Sequence, residues 1–175
     1  DFSDADLIVC AVSSQGVDWF IDQISQMESK KLNIVLLTKG LSIENGKLVT
    51  ISYKIKNELK KIGFDDVVVS AIKGPCLAAG LANKMRTGTV IASENKDTAN
   101  LIQKIITTEY YSTETSDDVM GVEFCGAIKN IYSMLIGASE GLSNPIAPEN
   151  IKSKYFLNTS ASLIHRSISE MVKFI

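Results

Sequence analysis

The sequence predicts an α/β fold in which a mostly parallel sheet is followed by the start of an all-helical region. Short apolar runs alternate with stretches of helical spacing through the first two-thirds of the chain, which is the pattern of β-α-β units. The last third keeps the helical spacing and contains no further run of this kind. Hydrophobic residues make up 45% of the 175 residues and charged residues 22%, a balance typical of globular proteins with a sizeable core.

Four apolar runs are the predicted strands, because an uninterrupted apolar run indicates a strand that is buried on both faces. The runs are residues 7–12, 33–38, 66–71 and 88–92. Parallel sheets of this type bind ligands at the carboxyl ends of their strands. The loops that begin at Ser13, Lys39 and Lys73 are therefore the predicted location of a binding site.

Helices are predicted between these strands and after the last one, where apolar residues recur at helical spacing. The stretches are residues 15–27, 51–61, 98–106, 119–142 and 158–175. Asp117 or Asp118 is well placed to cap the long fourth helix, and residues 143–154, which contain two prolines, are predicted to form a loop. We place a domain boundary near Asp117, so that residues 1–117 contain the sheet and residues 118–175 are helical.

Charge and cysteine content exclude several classes of protein. The net charge of −2 and the lack of a basic stripe argue against nucleic-acid binding, and no uninterrupted apolar run approaches the roughly 18 residues of a membrane span. The three cysteines are far apart, which favours neither a metal site nor a disulfide framework and is typical of reduced thiols in a cytoplasmic protein. Because the chain begins at Asp1 without a methionine, we expect it to be a piece of a longer protein.

Lys39 follows the second predicted strand and precedes Gly40, which can adopt a positive φ and allows a ligand to approach the backbone. The lysine either faces a crevice that binds phosphate or carbonyl groups, or is an ordinary surface residue at a strand end. After the third strand, Gly74, Ala78 and Gly80 offer little steric bulk, and a loop that opens into a helix suits an anion. A tight strand-to-helix turn explains the same residues, so both alternatives remain open.

Lys129 is the most informative residue of the long helix. The residues on its face of the helix are Cys125, Gly126, Ser133 and Gly137. None of them can pair with its charge, and a poorly solvated lysine has a lowered pKa that suits a general acid or base. The alternative is a lysine that extends to the surface. The neighbouring Asn130 is expected either to orient a substrate hydroxyl or to cap a buried polar group.

Five segments, taken in order, resemble the NAD(P)-dependent glycerol-3-phosphate dehydrogenase family, and a weaker match follows at residues 163–171. The five segments are residues 6–12, 38–41, 74–78, 89–93 and 116–130, the last of which includes Gly126-Ala127-Ile128-Lys129-Asn130. The resemblance covers nearly the whole chain, and five ordered segments are far more specific than a lone Lys-Asn pair.

The resemblance implies a fold and a reaction. Residues 1–117 would be the C-terminal part of a Rossmann-like dinucleotide-binding domain, and residues 118–175 the N-terminal part of a helical catalytic domain. The implied reaction is reversible hydride transfer between NAD or NADP and dihydroxyacetone phosphate, which gives sn-glycerol 3-phosphate for glycerophospholipid synthesis. A homodimer is an assembly that fits this expectation.

The resemblance also implies roles for individual residues. Lys129 would be the catalytic acid and base, and Lys39 would contact both substrate and cofactor. The other expected contacts are Gly74, Cys76 and Asn130 with the substrate, and Ala78 and Ser13 with the cofactor. No metal is expected.

The sequence departs from the family pattern at several positions. Cys76 replaces a Ser, Thr or Asn, and a thiol is a weaker hydrogen-bonding group; Gly80 and Ser13 replace the Glu and Pro of many bacterial members. No G-x-G-x-x-G occurs, so the pyrophosphate-binding unit is expected before Asp1 and further phosphate ligands after Ile175. We therefore expect this chain alone to show no turnover, and the sequence does not distinguish NAD from NADP.

Two alternatives remain open. The 3-hydroxyacid and 6-phosphogluconate dehydrogenases also place a catalytic lysine on a long helix after the sheet, but they usually read Lys-x-x-x-Asn, whereas Asn130 follows Lys129 directly. A non-catalytic dimerisation or ligand-sensing module is the second alternative. Cys76 and Gly80 favour it, and the two lysines argue against it.

Overall fold

The computed structural model describes residues 5–28, 31–143 and 158–174. The strands in these ranges are β1 (Ile8–Cys10), β2 (Lys31–Leu36), β3 (Leu41–Glu44), β4 (Lys47–Thr50), β5 (Asp66–Lys73), β6 (Thr87–Ala92) and β7 (Tyr111–Ser116). The α-helices are α1 (Val17–Ser25), α2 (Ile51–Lys61), α3 (Ala78–Ala82), α4 (Lys96–Ile106), α5 (Val119–Ser143) and α6 (Asn158–Met171).

Five strands form one sheet in the order β1-β2-β5-β6-β7. β1, β2 and β5 are parallel to one another, β6 runs antiparallel to β5, and β7 is again parallel to β6. The predicted α/β fold with a mostly parallel sheet is therefore confirmed. β3 and β4 form a separate hairpin, in which Asn45 and Gly46 both have positive φ, as a two-residue hairpin turn requires.

Apolar residues cover both faces of the central strands. On one face, side chains of β1, β2 and β5 pack with α1 and α2 around the fully buried Ile34, Leu36 and Ile55. On the other face, Val35 of β2 packs with Ile102 of α4 in a smaller cluster. A strand buried on both sides needs apolar residues at successive positions, which explains the uninterrupted runs in the sequence.

Several elements differ from the sequence-based expectation: β1 and α1 are shorter than predicted, and α4 begins two residues earlier. The hairpin and β7 were not expected: the Asn45-Gly46 pair is a hairpin marker, and β7 is an edge strand made mostly of Ser and Thr, so it lacks an apolar run. The last helix ends at Met171 and continues as the 3₁₀ turn Val172–Phe174. Most of the predicted 143–154 loop lies outside the described residues.

α5 begins as predicted, with Asp118 as its cap: the carboxylate Oδ1 of Asp118 accepts a hydrogen bond from the Gly121 N–H at 2.8 Å. The helix segment Val119–Leu142 is long and apolar enough to cross a membrane, with a mean hydropathy of 1.3 over its best window. The search for uninterrupted apolar runs in the sequence did not detect this. Length and composition are weak evidence for a span, since core helices of globular proteins share them. The absence of an integral membrane segment stays a prediction.

Contacts divide the chain into two compact units, residues 1–126 and residues 127–175. The first unit holds the sheet, its helices and the opening turns of α5. In the second unit, the Tyr132 hydroxyl donates to the Glu170 carboxylate at 3.3 Å, and the hydroxyls of Ser139 and Ser160 lie 3.0 Å apart, so α5 and α6 pair through polar contacts. The domain boundary near Asp117 stays a prediction.

Candidate active site

Three predicted site loops leave the sheet at the same edge. The register of the parallel strands aligns Cys10 of β1 with Leu36 of β2, and Leu36 with Ala71 of β5. Ser13, Lys39 and Gly74 each follow their aligned residue by three positions. The structure thus brings these loops to the carboxyl edge of β1, β2 and β5, where open α/β sheets bind ligands.

The turn that contains Lys39 lies against the loop after β1. Gly40 has a φ of +130°, a backbone conformation that L side chains rarely adopt, and a Cβ at this position would lie 3.4 Å from the Ser14 Cβ. The Ser13 carbonyl accepts a hydrogen bond from the Gly16 N–H at 2.9 Å, while its hydroxyl makes no capping bond. Ser13 and Lys39 are both exposed, so a hydroxyl and an amine are available beside a glycine.

Thr38 attaches the end of β2 to the end of β1. Its buried hydroxyl donates to the Val12 carbonyl at 2.7 Å and lies 3.7 Å from the Cys10 sulfur. Burial raises the pKa of the Cys10 thiol. Cys10 is therefore a neutral packing residue of this edge.

Lys73, at the end of β5, is the main residue that the sequence did not reveal. It is 5% exposed, and its ammonium donates hydrogen bonds to the Leu36 carbonyl at 3.3 Å and the Thr38 carbonyl at 2.5 Å. Burial, and secondarily the charge of Lys39, lower the pKa of Lys73 to about 8, while the carboxylate of Glu123 opposes this effect. From the sequence alone Lys73 is only the first residue of the loop that follows the third apolar run.

A buried carboxylate on α5 lies in the same unit. Glu123 is 1% exposed, and its Oε2 accepts a hydrogen bond from the Ser52 N–H at 3.2 Å, at the N-terminus of α2. Its Oε1 has no hydrogen-bond partner among the described residues. Burial raises the pKa of Glu123, and the contacts with Ser52 and the charge of Lys73 counteract this in part. Lys73 and Glu123 are therefore two buried ionisable groups that interact electrostatically.

The loop after β5 is shaped first by packing. A Cβ on Gly74 would lie 2.8 Å from the Gly88 carbonyl oxygen and 2.9 Å from the Thr89 hydroxyl, so β6 itself requires a glycine there. Cys76 is half-buried and Ala78 is exposed. Ala78 begins a helix of five residues, which is too short to supply the anion site expected from a helix N-terminus. The contacts of Gly74 and Cys76 with substrate and of Ala78 with cofactor stay predictions.

Lys129 and Asn130 lie in the second unit. The Lys129 ammonium donates a hydrogen bond to the Asn130 side-chain oxygen at 3.2 Å, and the Lys129 carbonyl accepts one from the Ser133 hydroxyl at 3.1 Å. Among the described residues no carboxylate forms an ion pair with Lys129. The hydrogen-bond partner of the Lys129 amine is thus a neutral amide oxygen. Within the same ranges, no group of three or more His, Cys, Asp or Glu side chains could hold a metal ion.

Comparison with known families matches both parts of the chain. Residues 2–99 match the model of the NAD-dependent glycerol-3-phosphate dehydrogenase N-terminus, and residues 118–175 match the model of the C-terminus of the same family. The second match begins one residue before α5. Together the two models cover most of the chain in the order that the resemblance predicted.

Individual relatives agree with the family models. The chain is 32% identical to a glycerol-3-phosphate dehydrogenase (NAD(P)+) of Leptospira biflexa and 30% identical to one of Chlorobium limicola; each match covers 97% of this chain and 46% of the relative. The crystal structure of glycerol-3-phosphate dehydrogenase from Coxiella burnetii superposes with a TM-score of 0.73 at 25% identity and covers 99% of this chain and 47% of that one. The chain thus spans about half the length of the relatives that it matches.

Proposed function

The chain belongs to the NAD-dependent glycerol-3-phosphate dehydrogenase family, and we propose that the protein that carries it reversibly reduces dihydroxyacetone phosphate to sn-glycerol 3-phosphate with NADH or NADPH. The observation that carries the proposal is the edge of the sheet where the Ser13, Lys39 and Gly74 loops emerge side by side. The product is a precursor of glycerophospholipids. The family assignment favours this reaction over that of the 3-hydroxyacid and 6-phosphogluconate dehydrogenases.

The residues of this edge fit part of a dinucleotide site. Ser13 offers a hydroxyl that makes no capping bond within the described residues, Lys39 an exposed amine, and Gly40 a backbone without a side chain in the way of a ligand. We assign Ser13, Lys39 and the exposed Ala78 to the cofactor. When bound, its nicotinamide ring supplies or accepts the hydride of the reaction.

Substrate binding and proton transfer fall to other side chains of the chain. Lys39 provides a positive charge for an anionic substrate, and Gly74, Cys76 and Asn130 are the proposed additional contacts. Lys129 acts as general acid in reduction, giving a proton from its Nζ to the carbonyl oxygen, and as general base in oxidation, taking the hydroxyl proton. The 3.2 Å hydrogen bond from Lys129 to Asn130 orients the amine without neutralising it.

Lys129→Ala in the protein that carries this chain tests the assignment. Loss of a general acid and base is expected to lower kcat on the order of 10²–10⁴-fold. Lys104→Ala is the matched control, because Lys104 is an exposed lysine near the end of α4. A rate that is unchanged in Lys129→Ala would remove the catalytic role and would favour a non-catalytic module.

The activity of the 175 residues by themselves is a separate question. Because the matched relatives are about twice as long, we expect no oxidation of NADH with dihydroxyacetone phosphate by this chain alone. Measurable turnover by the purified chain would show that the described loops already form a complete site.

A cytoplasmic location and a homodimer complete the proposal, which includes neither a nucleic-acid partner nor an integral membrane segment. Three cysteines without a disulfide in the described residues support a reducing compartment, and the net charge of −2 fits a protein without a nucleic-acid partner. Cell fractionation tests the location, and light scattering after gel filtration tests the assembly.

A further inference from the structure

We propose that Lys73 is a positioning residue whose buried ammonium fixes the turn at Lys39, so that the exposed amine of Lys39 is held where it meets its ligands. The consequence for catalysis rests on the function proposed above. The geometric part concerns the described residues alone and can be tested independently.

The hydrogen bonds of Lys73 reach the backbone on which Lys39 depends. Its Nζ lies 2.5 Å from the Thr38 carbonyl oxygen and 3.3 Å from that of Leu36. The Thr38 carbonyl belongs to the same planar peptide unit as the Lys39 nitrogen. A hydrogen bond to that oxygen therefore fixes the orientation of the Thr38–Lys39 peptide plane, to which the Lys39 Cα is attached.

Two further contacts hold the same turn, both from the end of β1. The Thr38 hydroxyl donates to the Val12 carbonyl at 2.7 Å, which fixes the turn to the end of β1. Gly40 has a φ of +130° and lies against Ser14. Lys73 supplies the connection of this turn to β5.

The stem of Lys73 is itself confined, so its ammonium has a defined position. A Cβ on Gly126 of α5 would lie 3.1 Å from the Lys73 Cγ, 3.2 Å from its Cδ and 3.3 Å from its Cβ. The helix backbone thus packs directly on the alkyl chain, and the contact is possible because residue 126 has no side chain. A long, flexible side chain can position another group only when its own rotamers are restricted in this way.

The charges around Lys73 are consistent with this role. It interacts with Glu123 from α5, with Lys39 after β2 and with Cys10 from β1. No ion pair joins Lys73 to Glu123 among the described contacts, so the ammonium remains directed at the two carbonyls. Burial lowers the pKa of Lys73 to about 8, so both the charged and the neutral form are accessible in ordinary buffers.

A double-mutant cycle in the protein that carries this chain tests the functional part. Lys73→Met keeps the length of the stem and removes the ammonium, and we expect it to lower kcat/KM about 10- to 100-fold, as a misplaced binding group does. Because Lys73 acts through Lys39, Lys73→Met is expected to add little in a Lys39→Met background. Losses that multiply in the double variant would overturn the proposal. Lys104→Met, at an exposed site, is the control.

Backbone NMR separates this inference from the proposed function. In Lys73→Met, the amides of Lys39 and Gly40 are expected to shift and to exchange hydrogen faster, with no such change in Lys104→Met. If the wild type has no dehydrogenase activity but Lys73→Met still shows these amide changes, the proposed reaction is refuted and the positioning role is retained. Unchanged amides would overturn the positioning role, whatever the activity.

A pH titration of the wild type covers the case in which Lys73→Met does not fold. The amide shifts of Lys39 and Gly40 are expected to change with a midpoint near the Lys73 pKa of about 8. Flat shifts between pH 6 and pH 10, on the order of two pH units to either side of that pKa, would contradict the connection between the two lysines.

Discussion

Replacing Lys73 by Met should flatten the dependence of stability on pH above neutrality. In the folded protein, burial lowers the pKa of Lys73 from 10.5 to about 8. Between these two values the unfolded chain binds a proton that the folded protein has released. Stability therefore rises with pH through this window, and the contribution is lost as the pH falls through the folded pKa. Met at this position has no proton to release, so its variant lacks the rise.

The size of the effect follows from the two pKa values. At about 1.4 kcal/mol per pKa unit, the difference between 10.5 and about 8 corresponds to about 3 kcal/mol in total. About 2.5 kcal/mol of it is expected between roughly pH 7 and pH 10, because the unfolded lysine is still partly protonated at the upper limit. Lys73 is 5% exposed, so solvent screening does not reduce this figure greatly.

Urea denaturation of the wild type and of Lys73→Met at a series of pH values measures the effect. The informative quantity is the difference between the two free energies of unfolding as a function of pH, since other titrating groups contribute to both proteins. Lys104→Met, which alters an exposed lysine, should follow the wild type. A constant difference between Lys73→Met and the wild type would mean that the amine is solvated and not buried against β2.

Three further predictions concern the surroundings of that lysine. Glu123→Gln removes the charge that raises the pKa of Lys73, so lysine side-chain NMR should find that pKa below about 8. An unchanged pKa would mean that Glu123 and Lys73 do not interact electrostatically. Gly126→Ala should destabilise the fold by about 1–3 kcal/mol through overpacking, whereas Gly137→Ala, with open space around it, should stabilise α5 by up to about 1 kcal/mol. Gly74→Ala, which meets the backbone of β6 at 2.8 Å, should lower the thermal midpoint, and Gly80→Ala, whose nearest neighbour lies at 3.8 Å, should not; equal midpoints would contradict the packing explanation for Gly74.

The sequence was most informative where one local pattern determined the structure. The bounds of α2, Ile51–Lys61, are those that apolar spacing predicts, because Thr50 accepts a hydrogen bond from the Tyr53 N–H at the start and Gly63 has a positive φ just after the end. The central strands were equally clear, since burial on both faces requires apolar residues throughout. β7 was missed because an edge strand needs no such run.

The candidate site was only partly accessible from the sequence. The rule for parallel strands places Ser13 and Lys39 at one edge, and the register of the strands bears this placement out. The burial of Lys73 is a different matter, because it depends on Gly126, 53 residues further along the chain. No local window contains both residues. Burial lowers the pKa of Lys73, and no local sequence pattern indicates that burial.

Lys39 and Lys73 differ in burial at this edge, and the difference suits them to different roles. An exposed lysine has many rotamers, and a binding role for Lys39 requires that its backbone, at least, be fixed before the ligand arrives. Lys73 is poorly suited to contact a ligand, because its ammonium already serves two carbonyls and it is almost fully buried. What it can do is restrict the turn next to it. Burial of the Lys73 amine destabilises the fold but preorganises the backbone that carries the Lys39 amine. Replacing Lys73 should therefore change both the pH dependence of stability and the backbone of Lys39.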